Sequence, residues 1–286
     1  MDIFARILNP LLMLLLPLAL GVFLARRLQG EWRVFGIGAV TFVASQVFHI
    51  PFNLWILSPF LERMGWTAGQ TGFSLALAAL FLGLSAGIFE EVARYFVFRL
   101  WLKDKRDWRS ALMLGAGHGG IEAVIVGVLT LLTVIQIFTL RGADLTEVVP
   151  ADQLDLAKAQ IETFWALPWY AVLLGALERA SAIALHLGAT VLVLQAFTRK
   201  RIRWLFAAIV WHAALDAVAV YGIQTWGMYI TEGLIFCMAL ISLFFVFILR
   251  EPLGVEPDII AAPQEIQIQS LPSDTLDERL DESRYN

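Results

Sequence analysis

The chain has 286 residues, 59% of them hydrophobic and only 16% charged, whereas soluble domains run near roughly 45–50% apolar and 25% charged. That balance excludes an ordinary soluble core and places the chain in a lipid bilayer. The formal charge of −4 comes from basic residues gathered at helix ends and acids lying elsewhere, so no nucleic-acid partner is expected, and a single cysteine, Cys237, excludes a disulfide framework or a multi-cysteine zinc site.

Apolar runs of about 20 residues, each long enough to cross roughly 30 Å of hydrocarbon as a helix, occur near 5–25, 34–57, 71–101, 110–140, 165–198, 204–225 and 227–249. The first lacks a basic segment ahead of it and is followed by Arg26 and Arg27, which marks an uncleaved span rather than a secretory leader. The second carries Gln46, His49 and Asn53 around Pro51, read as a separate polar patch or a satisfied helix kink. Between the fourth and fifth, residues 142–163 mix Leu145, Val148, Val149, Leu154, Leu156 and Ile161 with acids, as in a short amphipathic helix at the membrane surface. Cys237, inside the last run, is expected to be a small buried hydrophobe. The predicted fold is therefore an all-α, polytopic transmembrane bundle of about seven spans over residues 1–250, with 251–286 as a disordered acidic tail.

Basic residues alternate from one inter-span segment to the next. Arg26, Arg27 and Arg33 flank the first turn, Arg99, Lys103, Lys105, Arg106 and Arg109 the third, and Arg199, Lys200, Arg201 and Arg203 the fifth. The opposite segments hold only Arg6, Arg63, Arg141 and Lys158. By the rule that cytoplasmic segments are rich in Lys and Arg, the N-terminus lies outside and the C-terminus and tail in the cytoplasm.

The residues that carry chemistry are those that lipid should exclude: Glu90, Glu91, Arg94, His118, Glu122, Glu178, Arg179, His186, His212 and Asp216. A charge at the centre of a spanning helix costs roughly 2.5–3.5 kcal/mol on insertion scales, so such groups face a polar interior. Glu90 with Arg94, His118 with Glu122, and His212 with Asp216 stand four apart, on one helix face. Counted from the basic ends at about 1.5 Å per residue, His118, His212, Glu90 and His186 lie roughly 12, 14, 17 and 18 Å deep. Four helices thus bring titratable groups to one level, which predicts a single polar chamber entered from the cytoplasmic half. His49 falls in the outer half by this count and is left out of the site. Gly115, Gly117, Gly119 and Gly120 surround His118, where small residues permit close helix packing or a bend around a cavity.

In order, Glu-Glu-Val-Ala-Arg (90–94), Gly-His-Gly-Gly-Ile-Glu-Ala (117–123), Glu-Arg (178–179) with His186, and His-Ala-Ala-Leu-Asp (212–216) resemble the YhfC family of intramembrane metalloproteases. That family is grouped with the CAAX prenyl endopeptidases and the PrsW proteases. The likeness spans roughly residues 70–220, the expected catalytic core. It implies that Glu90 and Glu91 are the catalytic glutamate motif, that His118 with Glu122 is the motif of the next helix, and that His212 and Asp216 are the closing His-x-x-x-Asp. Many CAAX-type members space the glutamate pair and the arginine one residue wider, so which glutamate pairs with Arg94 stays open.

Hydrolysis of a peptide bond within a membrane needs water, a base and a group to stabilise the oxyanion. A glutamate of the 90/91 pair is the expected base. His118, His186 and His212 are the candidate zinc ligands, three neutral imidazoles leaving one open position. Glu122 or Asp216 would orient a ligand histidine, while Arg94, Glu178 and Arg179 are structural or substrate-orienting. A metal-free mechanism in which the glutamate alone activates water uses the same residues. The expected substrate is a membrane-associated protein or peptide. A proton- or metal-coupled transporter and a non-catalytic membrane scaffold are the competing readings of the same cluster.

Overall fold

In a membrane each backbone N–H and C=O must be satisfied within its own segment, which leaves the helix as the default element for an apolar chain of this length. The computed structural model, which describes residues 2–67 and 71–250, is accordingly all-α among the described residues. Its helices are α1 (Asp2–Leu28), α2 (Trp32–Phe52), α3 (Ser58–Arg63), α4 (Gly72–Leu100), α5 (Trp108–Thr139), α6 (Leu145–Val148), α7 (Leu154–Ala166), α8 (Trp169–Val172), α9 (Leu174–Thr198), α10 (Arg203–Thr225) and α11 (Met228–Ile248). A π-helical turn, Asn53–Leu57, joins α2 to α3, so the second span runs on to Arg63 instead of stopping near residue 57. Seven helical stretches among the described residues are long and apolar enough to cross a bilayer, and the chain is a polytopic membrane protein. The expected surface helix is two pieces, α6 and α7, and the tail 251–286 lies outside the described residues.

The three basic turns meet at one end of the bundle. Lys105 pairs with Glu31, tying the α4–α5 turn to the α1–α2 turn. Arg106 lies over the Phe197 ring near the end of α9, 4.4 Å from its centroid, and Arg250 lies 4.9 Å over Trp108. At the other end Arg6, fully buried, donates to the carbonyls of Phe164 and Leu167 at 2.6 and 2.9 Å. This fastens the end of α7 to α1, because a helix leaves its last carbonyls unpaired.

The most enclosed span is Trp169–Thr198, most of it α9 and most of it buried inside the bundle. It packs against α5, α10 and α11, while α4 packs against α10, and α5 against α1 and α2. The glycines of α5 act by close packing. A β-carbon on Gly117 would stand 1.9 Å from the Phe35 carbonyl oxygen, and one on Gly119 would stand 2.5 Å from the His186 ring. No bend is needed, since α5 runs unbroken from Trp108 to Thr139. Cys237 corrects one expectation: it is exposed on the outer face of α11 rather than buried.

Between the basic turns and the polar residues lies a dry layer of Val97, Phe98, Leu112, Leu114, Val193, Leu194 and Ala208, all buried. It closes the interior at the basic end.

Candidate active site

The outlying charges do converge. Beyond the dry layer, α4 supplies Glu90, Glu91 and Arg94, α5 supplies His118 and Glu122, α9 supplies Glu178, Arg179 and His186, and α10 supplies His212 and Asp216. Glu90, Glu91, Arg94, His118, His186 and His212 are all buried. Ring centroids of His118 and His186 are 5.2 Å apart, and those of His186 and His212 are 5.5 Å apart.

Glu90 is the centre. Its Oε2 accepts from His118 Nε2 at 3.0 Å, lies 3.6 Å from Arg94 Nη2, 3.9 Å from His212 Nε2 and 4.0 Å from His186 Nδ1. Glu91 points the other way. It pairs with Arg94 and accepts from His212 Nδ1 at 2.7 Å, with no surface of its own exposed. The question of the arginine's partner is thereby answered: the tight pair is Glu91–Arg94. Arg94 also donates to His186 Nδ1 at 2.6 Å.

Of the three pairs expected from four-residue spacing, Glu90–Arg94 and His212–Asp216 are close and His118–Glu122 is not. Glu122 does not meet His118, four residues before it. Its carboxylate reaches across to α9, accepting from His186 Nε2 at 2.6 Å and from Arg179 Nη1 at 2.7 Å. Asp216 does approach its helix-mate, at 3.6 Å from His212 Nε2. Arg179 is shared between Glu122 and Glu178, the latter at 2.5 Å.

Donor atoms of Glu90, His186 and His212 lie within 4.8 Å of one another, a group able to hold a metal ion. This differs from the three-histidine set, with Glu90 in the place expected for His118. Ligand atoms about 2.0–2.2 Å from a tetrahedral zinc sit about 3.4 Å apart, so separations of 3.9 and 4.0 Å need only small closure. Each histidine also has a carboxylate on its other nitrogen, Glu91 behind His212 and Glu122 behind His186. Such carboxylate–imidazole pairs fix the tautomer and raise the basicity of a metal-binding histidine. In donor type, number and support, the residues fit a divalent cation once Arg94, which donates to His186 Nδ1 here, turns away from that nitrogen.

A cavity of about 90 Å³ adjoins this group, lined by Glu90, Glu122, Arg179, His186, His212 and Asp216 among others. It is large enough to hold water. Its outer walls are Glu178, Ala219 and Ile235, all on the side of the site away from the basic turns. The cavity therefore extends from the site toward the end that carries α6 and α7.

Sequence reasoning also left out residues that belong here. Gln46 donates to Glu90 Oε1 at 3.0 Å, and His49 and Asn53 continue from it. The patch around Pro51 is thus joined to the site rather than separate from it. Its signal was the 46, 49, 53 spacing, which lies along one helix face.

A multi-span bundle enclosing a buried Glu/His/His group able to bind a metal defines an intramembrane protein with a metalloenzyme-like centre. The chain belongs to the YhfC family of intramembrane metalloproteases, whose family model, described as YhfC intramembrane metalloprotease, matches residues 12–238. It is similar to an uncharacterized membrane protein YhfC of Bacillus subtilis (strain 168), at 32% identity over 209 residues, covering 72% of this chain and 79% of that protein. No solved structure matches the chain. It is an intramembrane metalloprotease by family.

Proposed function

We propose that the protein is an endopeptidase that hydrolyses a peptide bond of a membrane-associated protein or peptide, using water held in the chamber beside Glu90, His186 and His212. The observation that carries this reading is the three-donor group opening onto a water-sized cavity in the interior of a membrane bundle. Glu90, His186 and His212 would hold zinc. Bound there, zinc would supply Lewis acidity, polarising the scissile carbonyl and easing deprotonation of water.

The chain's own groups divide the remaining work. Asp216 lines the cavity beside His212 and is engaged by no arginine among the described residues, so it is the carboxylate free to take the proton from water and pass it to the leaving amine. Glu91 is closed off from the cavity and serves to orient His212 and neutralise Arg94. Glu122 orients His186. Arg179, on the chamber wall and held by Glu122 and Glu178, is placed to orient the substrate carbonyl. His118 holds Glu90 in place. With the basic turns in the cytoplasm, the N-terminus is outside and the chamber opens toward the outer face.

The test uses purified full-length protein in liposomes with a panel of fluorogenic peptides, each carrying one apolar span. Metal content is measured by mass spectrometry on the same samples. Zinc-loaded wild type should cleave at least one peptide, while Asp216→Asn should retain zinc and lose cleavage by at least 100-fold, the lower range for a lost acid–base group. A wild type that retains no zinc, or an Asp216→Asn variant that cleaves normally, refutes the assignment.

A further inference from the structure

Outside the charged motifs, a chain of four neutral side chains runs from α4 through the second span to Glu90. Ser85 Oγ donates to Asn53 Oδ1 at 2.7 Å. Asn53 Nδ2 donates to His49 Nε2 at 3.0 Å, and His49 Nδ1 donates to Gln46 Oε1 at 3.1 Å. Gln46 Nε2 then donates to Glu90 Oε1 at 3.0 Å.

The direction of each bond is forced. A carboxylate only accepts, so Gln46 must turn its amide nitrogen to Glu90 and its oxygen to His49. An amide oxygen also only accepts, so His49 must carry its proton on Nδ1 and accept at Nε2, where Asn53 offers an N–H. Every donor therefore points toward Glu90, and one rotamer or tautomer satisfies all five residues.

The ring of His49 stacks on Phe89, 5.4 Å between centroids, next to Glu90 in sequence. At the far end Asn53 opens the π-helical turn after Pro51, and its backbone N–H reaches both His49 O and Ile50 O. π-Turns inside helices concentrate at functional sites.

Mutual satisfaction alone does not account for the arrangement. Gln46, His49 and Asn53 are half-buried on a helix whose outer face is apolar, with Val47, Phe48 and Ile50 exposed. Apolar residues would fill those positions in lipid without any polar group to satisfy. What the chain does add is a hydrogen bond on one oxygen of the central carboxylate. It leaves the other oxygen, Oε2, on the side of His186 and His212.

We propose that Gln46 is a positioning residue for Glu90, and that Ser85, Asn53 and His49 hold its amide in the orientation that presents Glu90 Oε2 to a metal. This rests on the metal-holding reading given above. None of the four touches the three donor atoms themselves, so their effect acts through Glu90. Loss of such an outer partner costs roughly 10–100-fold in metal affinity.

Zinc affinity of the full-length protein in detergent, measured by competition with a chromophoric chelator, tests it. Gln46→Leu should bind zinc roughly 10–100-fold more weakly than wild type. Asn53→Leu should weaken binding to a smaller extent. The double variant should be no weaker than Gln46→Leu, because without Gln46 the outer links have no route to Glu90. A merely structural role would instead add the two losses. Should Gln46→Leu fail to fold, Ser85→Ala removes one hydroxyl at the far end and is expected to lose about threefold, less than the roughly 10–100-fold loss of a direct partner. Zinc binding by folded Gln46→Leu within twofold of wild type, or unchanged binding by Ser85→Ala where Gln46→Leu does not fold, overturns the proposal while leaving the metal reading intact. Failure of the wild type to bind zinc overturns both.

Discussion

Adjacent glutamates in one motif should respond in opposite ways to the same substitution. Glu91→Gln removes the carboxylate that pairs with Arg94 and accepts from His212, and all three groups are buried. The remaining contact of Arg94 with Glu90 is longer, at 3.6 Å. Breaking a buried pair from one side costs about 3–5 kcal/mol, because a charge is left uncompensated. For a chain of this size each kcal/mol moves the melting temperature by roughly 2–4 °C, so Glu91→Gln should melt on the order of 10 °C lower. Glu90→Gln leaves the Glu91–Arg94 pair standing and keeps a side chain of the same shape. It should melt within a few degrees of wild type, a cost of about 1 kcal/mol for one altered hydrogen bond. Its functional loss should be the larger one, with zinc absent and cleavage reduced by several orders of magnitude if water activation fails. Thermal unfolding in detergent, metal content and cleavage of the fluorogenic spans are read on the same preparations. Equal melting of the two variants, or an active and zinc-loaded Glu90→Gln, refutes the division of roles drawn from these contacts.

Gly117→Ala should prevent normal packing of α5 on α2, since the new methyl meets the Phe35 carbonyl and backbone cannot yield; overpacking costs typically 1–3 kcal/mol or more, and folded yield on size-exclusion chromatography reads it. Gly36→Ala, with open space around it, should leave yield unchanged. In a Cys237→Ala background, single cysteines at Glu178 and Asp144 should react with a membrane-impermeant maleimide from the same side, and one at Lys103 from the opposite side. Labelling of Glu178→Cys together with Lys103→Cys would contradict the direction in which the chamber opens. Arg6→Met should release α7 from α1, because three carbonyls at the end of α7 lose their donor; faster proteolysis within residues 142–163, with the spans intact, is the expected result.

Much of this was legible from residue type alone. Seven apolar stretches had to become helices, because lipid offers no partner for an open backbone, and Glu90, Glu91, Arg94, His118, His186 and His212 had to face inward, because a charge in hydrocarbon is costly. Depth could be counted, since the helix rise is constant. Rotation about each helix axis could not, as it depends on how neighbouring side chains interlock. Only tertiary packing therefore decided that Glu122 supports His186 rather than His118, and that Glu90 completes the metal-capable group. It also decided which of two adjacent glutamates faces the chamber. Gln46, His49 and Asn53 were read as a patch of their own because the depth count put His49 in the outer half and their link to the site depends on Glu90, which another helix brings to them. The side toward which the cavity extends was likewise invisible to depth counting. The apolar layer on its other side, Phe98 among aliphatic side chains, closes only when α4, α5, α9 and α10 are packed.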